Sequence, residues 1–131
     1  VTMFVAVGSN GTIITNTISN YGEDKTNFKY MKQSNTTLRS IAYNGDIDNP
    51  VLIAVGDGII LKSDNSNNEI GIKWEVYKDN NLFFTDITYA DGQFLAVGNK
   101  PNKGYIFISS DGEAWTYSDL GSIWVNSVSG Y

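Results

Sequence analysis

The 131-residue chain contains neither cysteine nor histidine. Without cysteine there are no disulfides, no thiolate nucleophile and no thiolate metal site. Without histidine the commonest general base and metal ligand is missing. Basic residues are few, nine Lys and Arg against fourteen acids, and Arg39 is the single arginine. The resulting net charge of −5 argues against nucleic-acid binding, which needs clustered cations to neutralise phosphates. No apolar run reaches the roughly 18 residues of a membrane-spanning helix, so no such span is expected. Charged residues make up only 18% and hydrophobic residues 41%, a balance that excludes disorder. A chain of this length corresponds to one domain, or part of a larger one, and is long enough to bury a core without staples.

What the chain does have is an internal repeat. Phe4-Val5-Ala6-Val7-Gly8 recurs as Leu52-Ile53-Ala54-Val55-Gly56 and as Phe94-Leu95-Ala96-Val97-Gly98. A second glycine follows at Gly11, Gly58 and Gly104. Next come Thr12-Ile13-Ile14, Ile59-Ile60-Leu61 and Tyr105-Ile106-Phe107, and then a small polar residue at Asn16, Ser63 and Ser109. An aromatic opens another segment at Phe28, Trp74 and Trp115, and thirteen residues beyond each aromatic stand Ile41, Ile87 and Val128. Three units with this spacing point to a repeat architecture.

The local reading is strand throughout. Five-residue apolar runs closed by glycine are too short for helices, and apolar residues at both parities predict strands covered on both faces. Ser9-Asn10-Gly11 and Gly56-Asp57-Gly58 carry residues that tolerate positive φ, as tight hairpins require. Ile41/Tyr43 and Ile87/Tyr89 alternate with polar neighbours, the pattern of a half-covered strand. The Asn- and Ser-rich stretches 16–27 and 64–69 fall between strands and read as hairpin loops. Four short antiparallel strands every 40–50 residues are the mark of propeller blades. The expected fold is an all-β propeller with about three blades per chain. Blade 1 takes its strands from 3–34 and is completed by 122–131, blade 2 spans 36–79, and blade 3 spans 82–119.

Ser109-Ser110-Asp111-Gly112-Glu113-Ala114-Trp115 resembles the Asp-box motif of the BNR-repeat β-propellers, bacterial and phage type. The likeness extends over almost the whole chain, with only the third unit carrying the motif intact. The second unit keeps Ser63 and Asn65 but delays its tryptophan to Trp74, and the first keeps only Asn16 and Phe28. The motif has a physical logic of its own. An Asp entering a tight turn accepts backbone N–H bonds, a Gly supplies backbone freedom, and the following Trp packs under the loop. Ser109, Asp111, Gly112 and Trp115 are therefore expected to be structural.

Sialidases are the best-known enzymes with Asp boxes, and resemblance to them implies an arginine triad and a Tyr–Glu pair. One arginine cannot form that clamp, so sialidase activity is excluded. Other glycoside hydrolysis needs two carboxylates across the scissile bond, whereas most acids here fall in predicted turns. No catalytic residue, metal or cofactor is expected. Asp46, Asp48, Asp64 and Asn65 offer oxygen ligands, but not in the spacing of a calcium loop.

Binding is what remains. Trp124 stands where the other units have Phe83 and Thr37, and Tyr131 follows it. Aromatics on loops beside polar residues grip sugars or partner surfaces, and Trp124, Tyr131, Asp91 and Arg39 are the candidates. Packing of Trp124 between blades is the competing explanation. The expected function is a non-catalytic interaction or scaffold module of a phage virion or bacterial surface, hence extracellular or virion-associated. The alternative is a glycan-binding propeller lectin. Gly8, Gly56 and Gly98 lie 48 and 42 residues apart, and joining the chain ends leaves 41 from Gly98 round to Gly8. The expected partner is accordingly a second copy that completes the ring as a homodimer, or the remaining blades of a longer chain, besides a protein or glycan surface.

Overall fold

The structure is a computed structural model describing residues 2–18, 28–32, 35–65, 70–71 and 73–130. Most of the two Asn- and Ser-rich loops (19–27 and 66–69) and Tyr131 lie outside the described residues. In order along the chain are β1 (Thr2–Val7), a 3₁₀ turn (Ser9–Gly11), β2 (Thr12–Ile18), β3 (Phe28–Lys32), β4 (Leu38–Tyr43) and β5 (Val51–Asp64). Then follow β6 (Glu75–Ala90), β7 (Gln93–Lys100), β8 (Lys103–Ser109) and β9 (Thr116–Asp119). Among the described residues there is no α-helix, and no helix is long and apolar enough to cross a membrane. All ladders between these strands are antiparallel, in a three-stranded sheet β1-β2-β3 and a six-stranded sheet β4 to β9 in sequence order.

The turn expected at Gly56-Asp57-Gly58 falls within β5, and the break expected after residue 79 falls within β6. β5 doubles back at Gly58 (φ +69): residues 52–56 pair with β4 and 57–62 with β6. Ile53 and Lys62, from its two arms, both lie beside Gly112. β6 runs unbroken from the outer strand of unit 2 into the first strand of unit 3, and the pair Asp57↔Phe83 ties the units together. β2 likewise continues to Ile18, into a stretch read as loop.

The core follows from parity. Leu52, Ala54, Ile59 and Leu61 point from β5 into one cluster, with Ile13, Leu38 and Trp74. Ile53, Val55 and Ile60 point into the other, with Phe84, Ile87, Phe94 and Ala96. Each such buried side chain contributes about 1.5–3 kcal/mol. Ile13 from the small sheet, with Val5 and Val7 packed alongside, joins the first cluster, and Leu38 N–H donates to the Gly8 carbonyl at 2.9 Å.

The repeat register is clearest at the first strands of the units. Ile41 faces Ala54 and Ile87 faces Ala96, and both ladders carry an irregularity one step earlier, at Leu38/Ser40 and Phe84/Asp86. Ser40, Asp86 and Ser127 each stand twelve residues beyond an aromatic of the repeat. The structure brings the three together. Asp86 Oδ1 accepts from Ser40 Oγ at 2.7 Å, and Oδ2 accepts from Ser127 Oγ at 3.0 Å and Val128 N–H at 2.9 Å. Segment 123–130 thus lies along β6, held further by Thr85 Oγ1 and the Asn99 amide on the Val125 carbonyl. The repeat predicts that 122–131 completes blade 1, yet among the described residues this segment joins no ladder and β1 pairs only with β2.

Candidate binding cleft

The turn from Ser109 to Trp115 is built as its residues dictate. Asp111 Oδ1 accepts the N–H groups of Glu113 (2.8 Å) and Ala114 (3.0 Å) and the hydroxyl of Ser109 (3.0 Å). These backbone bonds hold its carboxyl below the usual carboxylate value. Gly112 adopts φ +79, and a Cβ there would collide with Ile53 Cδ1. Ser109 Oγ accepts Gly112 N–H at 2.8 Å, and Trp115 Nε1 donates to the Gly112 carbonyl at 3.1 Å. Unit 2 reproduces the outline: Gly71 N–H donates to Ser63 Oγ at 2.7 Å, and Trp74 Nε1 to the Gly71 carbonyl at 3.2 Å. The two tryptophans differ in depth, Trp74 being buried and Trp115 only half-buried.

Trp115 is left partly open because it walls a cleft between units 2 and 3. This cleft has a volume of about 440 Å³, and the buried Leu82 and Phe84 close its base. Tyr77 and Asp79 reach it from the outer part of β6, and Tyr105 and Tyr117 from β8 and β9. Cross-strand pairing of Phe107 with Tyr117 sets their rings stacked at 5.4 Å, while Tyr105 meets Tyr117 edge-on at 6.0 Å. Tyr77 and Tyr117 are 65% and 66% exposed, high for side chains that gain most from burial. A second cavity of about 310 Å³ shares Ile60, Tyr77, Glu113 and Trp115, so the cleft continues as a groove past the turn at Gly112.

Three charged groups stand in the main cleft. Lys100 Nζ sits 5.7 Å over the Tyr105 ring. Glu113 pairs with Lys62 at 2.8 Å, tying this turn to β5. Asp79 Oδ1 accepts the Asn81 N–H at 3.0 Å.

Of the binding candidates read from sequence, Arg39, Asp91 and Trp124 are not in this lining, and Tyr131 lies outside the described residues. Arg39 is engaged by Asp57 through Nε–Oδ1 (2.8 Å) and Nη2–Oδ2 (3.1 Å), which raises its pKa further. Asp91 forms the β6–β7 turn with Gly92, both at positive φ (+50 and +75). Trp124 is 61% exposed on the C-terminal segment. Among the described residues, no hydrogen bond or ion pair joins any two of Arg39, Asp91 and Trp124 to each other. Asp46, considered as a cation ligand, spends Oδ1 on the N–H groups of Asp48 and Asn49 in the β4–β5 loop. The cleft tyrosines escaped sequence reading because the ring itself is not repeated: Tyr105 stands where the other units have Thr12 and Ile59. Their common parity on paired strands, Tyr105 and Phe107 against Tyr117, was the available signal.

No family model matches this sequence, and no curated protein matches it significantly.

Proposed function

We propose that the chain is a non-catalytic interaction module of β-propeller type, akin to the Asp-box (BNR) repeat proteins of bacteria and phages and working at a virion or cell surface. The observation that carries the binding reading is the aromatic cleft between units 2 and 3, open to solvent and continued by a second cavity. Its two acids favour binding over hydrolysis. Glu113 is ion-paired with Lys62 and Asp79 accepts a turn amide, the reverse of the apolar setting that a general acid needs. The propeller reading is supported by the first strands of units 2 and 3, which share one register, and by segment 123–130, which meets them at Asp86.

The open edge of β1 and the unladdered segment 123–130 complement each other. In the register of the other units, Val128 falls opposite Ala6 and Gly130 opposite Phe4. A second copy of the chain, donating 123–130 to β1, satisfies both and closes a six-bladed ring with twofold symmetry; the remaining blades of a longer chain are the competing donor.

The test of function is saturable binding of the fluorescently labelled domain to a panel of Gram-positive and Gram-negative cells, with fluorogenic glycosides assayed in parallel. Binding that saturates without turnover is expected. Turnover abolished by replacing one acid, or no saturable binding to any cell, overturns the reading.

A further inference from the structure

We propose that the cleft between units 2 and 3 is a binding site for a neutral oligosaccharide, an inference that rests on the interaction-module reading and names its ligand. The first argument is the pairing of surfaces. A sugar ring offers an apolar C–H face and a rim of hydroxyls. The cleft answers with exposed rings at Tyr77 and Tyr117, a half-buried Trp115, and carboxylate acceptors at Asp79 and Glu113. The hydroxyls of Tyr77, Tyr105 and Tyr117 have no hydrogen-bond partner among the described residues.

The second argument is charge. Along the groove Asp79, Glu113 and Glu75 stand against Lys100 and Lys62, with Lys62 already paired to Glu113, so the charges nearly balance and offer phosphate, sulfate or acidic sugars no cluster of free cations. A quaternary ammonium ligand would seek the face of an aromatic ring, but Lys100 already stands over Tyr105. Anions and cations both meet a like charge, and an uncharged, hydroxyl-rich ligand meets none.

The third argument is size. The cleft falls within the roughly 300–1,000 Å³ of small-molecule sites. The adjoining cavity shares Tyr77 and Trp115 with it. One ring would fill only part of this groove, so the ligand is a chain of several sugars lying across Tyr77.

Calorimetric titration with neutral hexasaccharides of glucose, N-acetylglucosamine and mannose tests the assignment, alongside a sulfated hexasaccharide and choline. At least one neutral hexasaccharide should bind saturably, and its disaccharide at least tenfold more weakly. Tyr77→Ala and Tyr117→Ala should each weaken binding tenfold or more. Both side chains are largely exposed, so a cooperative urea transition is expected in each variant and certifies the fold, with a small fall in midpoint for Tyr117→Ala from its lost stacking on Phe107. Failure of every neutral hexasaccharide, preference for choline or the sulfated chain, or wild-type affinity in both tyrosine variants overturns the proposal. Saturable cell binding that survives both tyrosine substitutions overturns the cleft assignment alone and leaves the interaction module standing.

Discussion

Replacing Asp86 by alanine should loosen the junction of β4, β6 and segment 123–130. The carboxylate accepts from Ser40 Oγ and Ile87 N–H on Oδ1, and from Ser127 Oγ and Val128 N–H on Oδ2, all between 2.7 and 3.0 Å. Hydrogen bonds to a charged group contribute about 1.5–3 kcal/mol each. The site is partly open, so water replaces some of them, and the expected loss is about 2–4 kcal/mol rather than the full sum. With a urea slope of about 1–3 kcal/mol per molar, the midpoint at pH 7 should fall by roughly 1–2 M. The pH dependence gives an independent check. Burial alone would raise the Asp86 pKa, but the bonds from Ser40, Val128, Ser127 and Ile87 outweigh it and bring it below the ordinary 3.8. A lowered folded pKa means that the stabilisation is fully present above the unfolded value and lost as pH falls through the folded one. The gap between wild type and Asp86→Ala should therefore be constant from neutral pH to about pH 5 and close in stronger acid. Faster hydrogen exchange at the Val128 amide should accompany it. An unchanged midpoint at pH 7, or a gap that persists below the folded pKa, refutes the junction.

Asp111→Ala should cost about 1 kcal/mol, the low end for lost hydrogen bonds, because water reaches the exposed turn. Gly112→Ala should cost more in the same urea titration, since it joins strain at φ +79 to a collision with Ile53. Trp74→Ala should cost roughly 3–5 kcal/mol as a buried aromatic, and Trp115→Ala only about 1–3 because it is half-open; equal losses would contradict the difference in burial. Light scattering on the 131-residue chain should give twice the monomer mass of 14.4 kDa, and a dilute, well-folded monomer would dismiss strand donation between copies.

The strands were legible because their signals are local. Gly8, Gly56 and Gly98 close apolar runs of fixed length, and the two-faced apolar pattern of β5 matches its burial on both sides. The continuity of β6 was not legible. Asp79-Asn80-Asn81 reads as a break by propensity, but pairing with β5 before it and β7 after it carries the chain through. Unit 2 also hid its turn: an insertion separates Ser63 from Gly71, and only folding shows Gly71 in the role of Gly112. Site reading failed for a related reason. Trp124 attracts notice by differing from Phe83 and Thr37, whereas the cleft arises where strands 28 residues apart in sequence, at Tyr77 and Tyr105, face each other. Counting thirteen residues from each aromatic found Ile41, Ile87 and Val128; counting twelve would have found Ser40, Asp86 and Ser127.

That last triplet bears on how a repeat avoids confusing its own parts. Equivalent positions in three units hold Ser, Asp and Ser. Three carboxylates at this point would repel one another, and three hydroxyls would leave the Ile87 and Val128 amides with weaker acceptors. In the order Ser40, Asp86, Ser127 the central carboxylate has a hydroxyl neighbour on each side. The units are therefore alike in shape but not interchangeable in place. Divergence at this one position works as an address, specifying which unit sits in the middle and penalising a chain that docks one unit out of step.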